Sequence, residues 1–172
     1  MTVTLRDARN DEDCAWIRVV YRDYVSELSL SRSGIFPVSA EWHSRDEELL
    51  SDWIRDPAAH PFVILADGVR AGFARVTRMP AWPRGGAEFR MSEFFIASTA
   101  RRRGVGARAA TLLFSRFEGE WEVLEDAANR PALAFWRRVI SGQSAGRFRE
   151  IREGNEVRQR FRSVVRPPES TA

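Results

Sequence analysis

A turn that contains three arginines and two glycines stands at the start of a helical stretch. The run RRRGVG, Arg101–Gly106, follows a β-rich segment and precedes the apolar stretch ARAATLLF. At such a strand-to-helix turn the backbone N–H groups point outward at the positive end of the helix dipole, and glycine has no Cβ to keep a ligand away. Arginine adds a permanent positive charge. The pattern is typical of a site that binds phosphate groups.

Two common phosphate-binding motifs do not match this turn. A dinucleotide-binding fingerprint has the form G-x-G-x-x-G, but Gly104 and Gly106 are followed by Ala109 at the third position. The phosphate loop of nucleotide-hydrolysing enzymes contains Gly-Lys, and the chain has no lysine. The motif that remains is R-x-x-G-x-G, beginning at Arg101.

The elements that must position this turn are predicted from apolar periodicity and turn residues. The first half is expected to begin with a strand over Val3–Ala8 and a helix that is capped by Asn10 or Asp11 and has apolar positions Trp16, Val19, Val20 and Leu28. A connection over Ser29–Ser39 and a second helix over Ser39–Ile54 should follow. A hairpin around Asp67-Gly68 and a strand over Ala87–Ala97 complete this half. The second half is expected to contain a helix from the glycine turn to about Phe117, a strand over Trp121–Glu125, a helix with Pro131 in its first turn, and a hairpin around Gly154 that buries Phe148, Ile151, Val157 and Phe161.

Composition restricts the classes of protein that fit. With 172 residues, of which 44% are hydrophobic and 30% charged, the chain predicts one domain, over 1–164, with a disordered tail over 165–172. The chain has neither an apolar run near the roughly 18 residues of a membrane span nor a signal-peptide pattern, which predicts a cytoplasmic protein without membrane association. Its only cysteine, Cys14, excludes an internal disulfide, and His43 and His60 lack partners at metal-ligand spacing.

The basic residues do not by themselves indicate nucleic-acid binding. All 27 are arginine, which favours a bacterial genome rich in G and C, and the net charge is only +3 with acidic residues interspersed. Stacking aromatics are not interleaved with the Arg101–Arg103 cluster. We therefore predict no nucleic-acid partner.

Two sequence blocks resemble the GNAT superfamily of N-acetyltransferases. Arg101-x-x-Gly104-x-Gly106, after a strand that ends in Phe94-Phe95-Ile96, is similar to the loop that binds the pyrophosphate of acyl-coenzyme A. Asn129–Trp136 resembles the family segment N-x-x-A-x-x-F-Y. The resemblance covers about residues 3–164. It implies an α/β (α+β) fold with a mixed, twisted sheet of about six or seven strands flanked by about four helices.

The same resemblance implies where acetyl-coenzyme A binds, with no metal. Two parallel strands, Phe89–Ala97 and Trp121–Glu125, should splay apart so that the pantetheine arm pairs with exposed strand backbone. The residues implied in cofactor binding are Phe94, Phe95, Ile96, Arg101, Arg102, Arg103, Gly104, Val105, Gly106, Ala107, Asn129 and Trp136. For Asn129 an N-cap before Pro131 is an equal alternative, and the two roles are compatible.

The chemistry that the resemblance implies is attack by a neutral amine on a thioester, with a base that removes the ammonium proton. Glu93 is the first candidate base and Glu125 the second. Strand alternation puts Glu93 on the face opposite to Phe94 and Ile96. The chain departs from the family at Trp136, where tyrosine is the usual proton donor for the thiolate, because an indole N–H does not act as an acid near neutral pH.

The sequence does not identify the acceptor amine, and it is compatible with a homodimer. The acceptor wall implied by the family comprises Tyr24, Ser29–Phe36, Trp42 and Trp82, whose aromatics suit a small amine or a peptide N-terminus. The resemblance predicts an N-acetyltransferase that acts on a primary amine through a ternary complex. The departure at Trp136 keeps a second hypothesis open, a catalytically silent acyl-coenzyme A-binding sensor or regulatory module.

Overall fold

The structure is a computed structural model that describes residues 1–30, 55–81 and 86–163. Its strands are β1 (Val3–Asp7), β2 (Ala59–Ala66), β3 (Val69–Arg78), β4 (Phe89–Ile96), β5 (Gly119–Asp126), β6 (Phe148–Glu153) and β7 (Glu156–Ser163). Its α-helices are α1 (Asp11–Leu30), α2 (Val105–Arg116) and α3 (Arg130–Ser144), and a short 3₁₀ turn spans Ser98–Ala100.

The strands form a single mixed sheet in the order β1-β2-β3-β4-β5-β7-β6. Every neighbouring pair is antiparallel except β4 and β5, which are parallel. The predicted fold class and strand number are therefore confirmed. Within the described ranges there are three α-helices where about four were expected. The helix predicted over Ser39–Ile54 lies outside the described residues, as does the tail predicted over 165–172.

Both predicted hairpins form, and each uses a backbone with positive φ at its turn. Asp67 and Gly68 have φ values of 49° and 80° between β2 and β3. Gly154 has φ of 61° between β6 and β7. Asp-Gly pairs and glycine tolerate this left-handed region, so the local sequence is sufficient to specify where these strands turn.

Two apolar positions named from the sequence are exposed, and the prediction that Ile151 is buried is wrong. Val19 is 70% exposed, because the buried face of α1 passes through Cys14 and Ile17. Ile151 is 47% exposed. It lies an odd number of residues from Phe148, which packs against the core, and successive strand side chains point to opposite faces.

The ends of α1 also refine the prediction. Asn10 is its N-cap, since the Asn10 side-chain oxygen accepts from the Asp13 N–H at 2.9 Å. The helix continues through Leu30, so the first residues of the predicted connection over Ser29–Ser39 are helical. The rest of that connection lies outside the described residues.

Aromatic packing on both faces of the sheet holds β4 in place. On one face, α2 and α3 cover a large core in which Trp121 and Phe161 surround Phe114 at ring-centroid distances of 4.8 Å each. On the other face, α1 covers a smaller cluster that contains Phe73 and Phe95, 5.6 Å apart. Because β4 contributes side chains to both clusters, its backbone position is set from two sides.

Candidate functional site

The two parallel strands separate part of the way along their length. β4 and β5 pair only where Phe89–Met91 lies beside Trp121–Val123. Beyond that point β4 remains paired with β3, and β5 remains paired with β7. The stretch of β4 from 92 to 96 therefore has no β5 partner within the described part of the chain, which opens a notch between the strands.

A bulge in β4 decides which side chains face each side of this notch. Glu93 lies opposite Arg75, whereas Met91 lies opposite the next β3 residue, so one residue of β4 is additional. Met91 and Phe94 consequently both pack against the larger core despite an odd separation. Ser92 and Glu93 are directed to the α1 face, where the Ser92 hydroxyl lies 2.7 Å from that of Thr77.

A cavity of about 890 Å³ occupies the notch. It is lined by the splayed parts of β4 and β5, by the glycine turn at the start of α2, by the first turns of α3, and by the last described turns of α1. It is large enough for an extended ligand, since ordinary small-molecule sites measure about 300 to 1,000 Å³. The turn and α1 thus border one continuous space.

The glycine turn presents backbone donors to this cavity. Gly104 has φ of 80° and α2 begins at Val105. The first intrahelical bond joins the Arg108 N–H to the Gly104 carbonyl at 3.1 Å, so the N–H groups of Val105–Ala107 precede the hydrogen-bond ladder of the helix. Residues from Gly104 to Ala107 line the cavity. A helix N-terminus with free N–H groups is suited to bind an anion.

The second glycine, Gly106, stands where two neighbouring side chains pack closely. A Cβ on Gly106 would lie 3.3 Å from Ile96 Cγ1 and 3.4 Å from Phe135 Cε2. Glycine at this position lets the start of α2 approach both β4 and α3.

The three arginines of the turn have different environments. The Arg101 Nε donates to the Ile96 carbonyl at 2.6 Å, its Nη2 pairs with Glu27 at 2.7 Å, and its guanidinium lies 5.3 Å from the centroid of the Phe95 ring. Arg101 therefore ties the turn to β4 and α1. Arg102 is exposed and lines the cavity, whereas Arg103 is exposed and does not line it. Among the three, Arg102 is the one placed to attract an anion.

We predict that Gly104→Ala destabilises the protein by about 1 kcal/mol, because alanine is strained at positive φ. A Cβ at Gly104 would contact nothing within 4 Å, so steric clash adds no cost. Gly142→Ala is the matched control, since Gly142 lies inside α3 and its Cβ would also be in open space. Alanine there should stabilise by about 0.5 to 1 kcal/mol. Urea unfolding of the parent and the two variants measures both effects. Changes of the same sign in the free energy of unfolding of the two variants would contradict the prediction.

Asn129 links α3 to the carboxylate at the end of β5. Its side-chain oxygen accepts from the Ala132 N–H at 3.4 Å, which makes it the N-cap of α3. Its Nδ2 donates to Glu125 Oε1 at 3.1 Å, and that same oxygen accepts from the Asp126 N–H at 3.0 Å. Burial raises the pKa of Glu125, and these two hydrogen bonds oppose that effect. One oxygen of Glu125 is therefore already engaged in its own turn.

Glu93 lies on the α1 face of β4 behind Tyr24, and it is Tyr24 rather than Glu93 that lines the cavity. The Tyr24 hydroxyl donates to Glu93 Oε2 at 2.5 Å. Burial raises the pKa of Glu93 to about 6, while the Tyr24 hydrogen bond and the positive charge of Arg75 act in the opposite direction. Burial, followed by the nearby Glu93 charge, raises the pKa of Tyr24 well above its ordinary value. Glu93 is thus a carboxylate that can gain a proton near neutral pH.

Trp136 is buried beside the cavity. Its ring centroid lies 5.0 Å from that of Phe94 and 4.9 Å from that of Phe135, both in tilted edge-on arrangements. Trp136 and Phe135 line the same side of the cavity as Asn129. The indole therefore forms part of an aromatic wall next to β4.

Two features of the site were not predicted from the sequence: the place of Glu27 at the cavity and the bulge in β4. Tyr24, Glu27 and Leu28 all line the cavity and are spaced at i, i+3 and i+4 on α1. That spacing is the signal by which the cavity-facing side of α1 can be recognised. Most of the predicted acceptor wall, namely residues 31–36, Trp42 and Trp82, lies outside the described residues.

Two further features, a metal site and a membrane-spanning helix, were looked for in the described part of the chain. No three His, Cys, Asp or Glu side chains in residues 1–30, 55–81 and 86–163 are grouped so that they could hold a metal ion. No helix in those ranges is both long enough and apolar enough to cross a membrane.

Comparisons with known proteins agree with this arrangement. Among solved structures, the chain is similar to an acetyltransferase from Thermus thermophilus at 17% identity and a TM-score of 0.66, over 94% of this chain and 97% of that one. The PaiA N-acetyltransferase from Thermoplasma acidophilum in complex with coenzyme A matches at 12% identity and a TM-score of 0.59, over 94% and 99%. The ribosomal-protein-S18-alanine N-acetyltransferase from Escherichia coli matches at 12% identity and a TM-score of 0.60, over 98% of each chain.

These structural matches establish a shared fold. No curated protein gives a significant match to the sequence. A sequence model described as the Acetyltransferase (GNAT) family matches residues 9–140, which include the glycine turn, both splayed strands and most of α3. The chain therefore belongs to the GNAT acetyltransferase family.

Proposed function

We propose that the protein is an N-acetyltransferase that transfers the acetyl group of acetyl-coenzyme A to a primary amine of a small molecule or peptide. The observation that carries the proposal is one cavity lined both by a free helix N-terminus and by Tyr24, whose hydroxyl is bonded to the Glu93 carboxylate behind it. This arrangement supports direct attack in a ternary complex, since both ligands would occupy one continuous space.

The residues of the notch fit the cofactor. The N–H groups of Val105–Ala107 would hold the pyrophosphate, and Arg102 would add attraction for its negative charge. The β4 backbone from 92 to 96 lacks a β5 partner and would pair with the pantetheine amides as an added strand does. Asn129 keeps hydrogen-bonding capacity beyond its cap and its bond to Glu125.

Glu93 is the proposed general base. When bound, acetyl-coenzyme A supplies a thioester that a neutral amine can attack. Glu93 would remove the ammonium proton, directly or through one water, and its pKa near 6 leaves it mainly ionised at neutral pH. Glu125 is the second candidate, but one of its oxygens already accepts two hydrogen bonds.

Trp136 is the one observation that supports a second candidate function, a silent acyl-coenzyme A-binding module. The indole cannot protonate a departing thiolate near neutral pH. Retained activity requires only that the thiolate leave unaided or take a proton from solvent. We favour activity because the turn, the notch and a carboxylate of raised pKa occur together.

Trp136→Tyr distinguishes the two functions. If the parent is active, we expect Trp136→Tyr to change kcat by less than about tenfold, because a single proton donor contributes modestly when the leaving group is tolerable. The assay is release of free thiol from acetyl-coenzyme A with a panel of primary amines. Trp136→Phe controls for the altered packing against Phe94. A parent without turnover, combined with a large gain in Trp136→Tyr alone, would support the silent module.

A further inference from the structure

A tyrosine on α1 is held rigidly next to the proposed base. The ring centroid of Tyr24 lies 5.5 Å from that of Phe73 and 5.6 Å from that of Phe95, in the aromatic cluster beneath α1. Packing on two rings that belong to adjacent strands restricts the tyrosine side chain to one orientation. Its hydroxyl position is therefore set by the fold rather than by a flexible side chain.

That hydroxyl meets Glu93 on the α1 face of β4. The two residues are 69 positions apart in the chain, yet the Tyr24 hydroxyl lies 2.5 Å from Glu93 Oε2. Glu93 lies on the same face of β4 as Phe95, toward α1, and the bulge at Ser92 lets Met91 keep its place in the larger core on the other face. Tyr24 itself lines the cavity.

We propose that Tyr24 is a positioning residue at the cavity wall, whose hydroxyl holds the Glu93 carboxylate behind it in one orientation and stabilises its ionised form. This inference rests on the proposed function, in which Glu93 is the base. With Oε2 engaged by Tyr24, Oε1 is the Glu93 oxygen that would accept the ammonium proton, directly or through a water. The hydroxyl thus selects which Glu93 oxygen accepts the proton.

The charged groups around Glu93 determine the direction of the pH effect. From β3, Arg75 faces Glu93 and also pairs with Asp56 at 3.1 Å. From β5, Glu125 acts on the same cluster through its influence on Tyr24. On α1, Glu27 is paired with Arg101. Since the Tyr24 hydrogen bond lowers the pKa of Glu93, its removal must raise that pKa further.

The first experiment compares Tyr24→Phe with the parent in the acetylation assay. We expect kcat to fall about tenfold, the size of one lost hydrogen bond to a charged group. The acid limb of the pH-rate profile should move to higher pH, with the affinity for coenzyme A unchanged. Tyr21→Phe is the matched control, since Tyr21 lies on the same helix as Tyr24. The Tyr21 ring centroid is 5.5 Å from that of Tyr24 and 6.0 Å from that of Phe73. An unshifted acid limb in Tyr24→Phe would overturn the inference.

A double variant separates positioning from general damage to the fold. If Tyr24 acts through Glu93, Tyr24→Phe should cause no further loss of kcat in a Glu93→Gln background. Losses that multiply in the double variant would show that Tyr24 acts independently of Glu93 and would overturn the proposal.

A titration that does not depend on activity completes the test. With ¹³C-labelled glutamate carboxyl groups, the Glu93 resonance is assigned by its disappearance in Glu93→Gln, and its pKa is measured in the parent and in Tyr24→Phe. A higher pKa in Tyr24→Phe supports the inference and an unchanged value overturns it. A parent that acetylates no amine would count against the proposed function, while this titration would still decide whether Tyr24 controls Glu93.

Discussion

Ala107→Glu is expected to weaken the binding of coenzyme A severely. Ala107 is the third residue of α2 and lines the cavity beside the free N–H groups. Two like charges about 4 Å apart repel by about 4 kcal/mol at an effective dielectric constant of about 20, so a glutamate facing the pyrophosphate should weaken binding by about 100-fold or more. Calorimetric titration with acetyl-coenzyme A measures the effect, and the parent is expected to bind with micromolar affinity.

The same substitution should leave the fold intact. Ala107 is partly buried beside the larger core. A glutamate in the first turn of a helix interacts favourably with the helix dipole, so we expect a folded Ala107→Glu protein, which its thermal unfolding curve checks. Ala107→Gln has nearly the same shape without the charge and is expected to retain most of the affinity. Equal losses in both variants would show that steric exclusion dominates, and no binding by a folded parent would remove the basis of the acetyltransferase proposal.

Glu93→Gln is expected to lower kcat by about 100- to 10,000-fold, the usual contribution of a positioned general base. Glutamine keeps the size of the side chain and can still accept from Tyr24, so the cavity should be retained. Binding of coenzyme A should be unchanged, because the glycine turn is untouched. In the parent, activity should rise with pH as Glu93 loses its proton near pH 6, and this limb should be absent in Glu93→Gln.

Glu125→Gln is the comparison that tests the choice between the two carboxylates. Its side chain bonds to Asn129 and to its own turn, and we expect its loss to reduce kcat less than the loss of Glu93. A larger loss in Glu125→Gln, or a parent profile that shows no titration near pH 6, would transfer the role of base to Glu125 or to water.

Much of the fold could be predicted because its signals are local. The turn at Asp67-Gly68 requires positive φ, which few residue pairs tolerate, and the alternating strands on each side of it follow directly. The glycine turn is likewise a local signal, since Gly104 adopts positive φ and a Cβ on Gly106 would lie tight against Ile96 and Phe135. Positions on an isolated helix or edge strand were less predictable, because the exposure of Val19 and Ile151 depends on which neighbours cover each face.

The sequence by itself therefore determined the element types, the hairpins, the phosphate-type turn and the two candidate carboxylates, since these depend on residues close together in the chain. Only the tertiary structure decided which face of the notch each side chain meets. The bulge in β4 reverses the alternation just before Glu93, and the bond from Tyr24 and the pair between Arg101 and Glu27 join distant segments. Such contacts arise from packing α1 against the sheet, and periodicity within a single element does not contain that information.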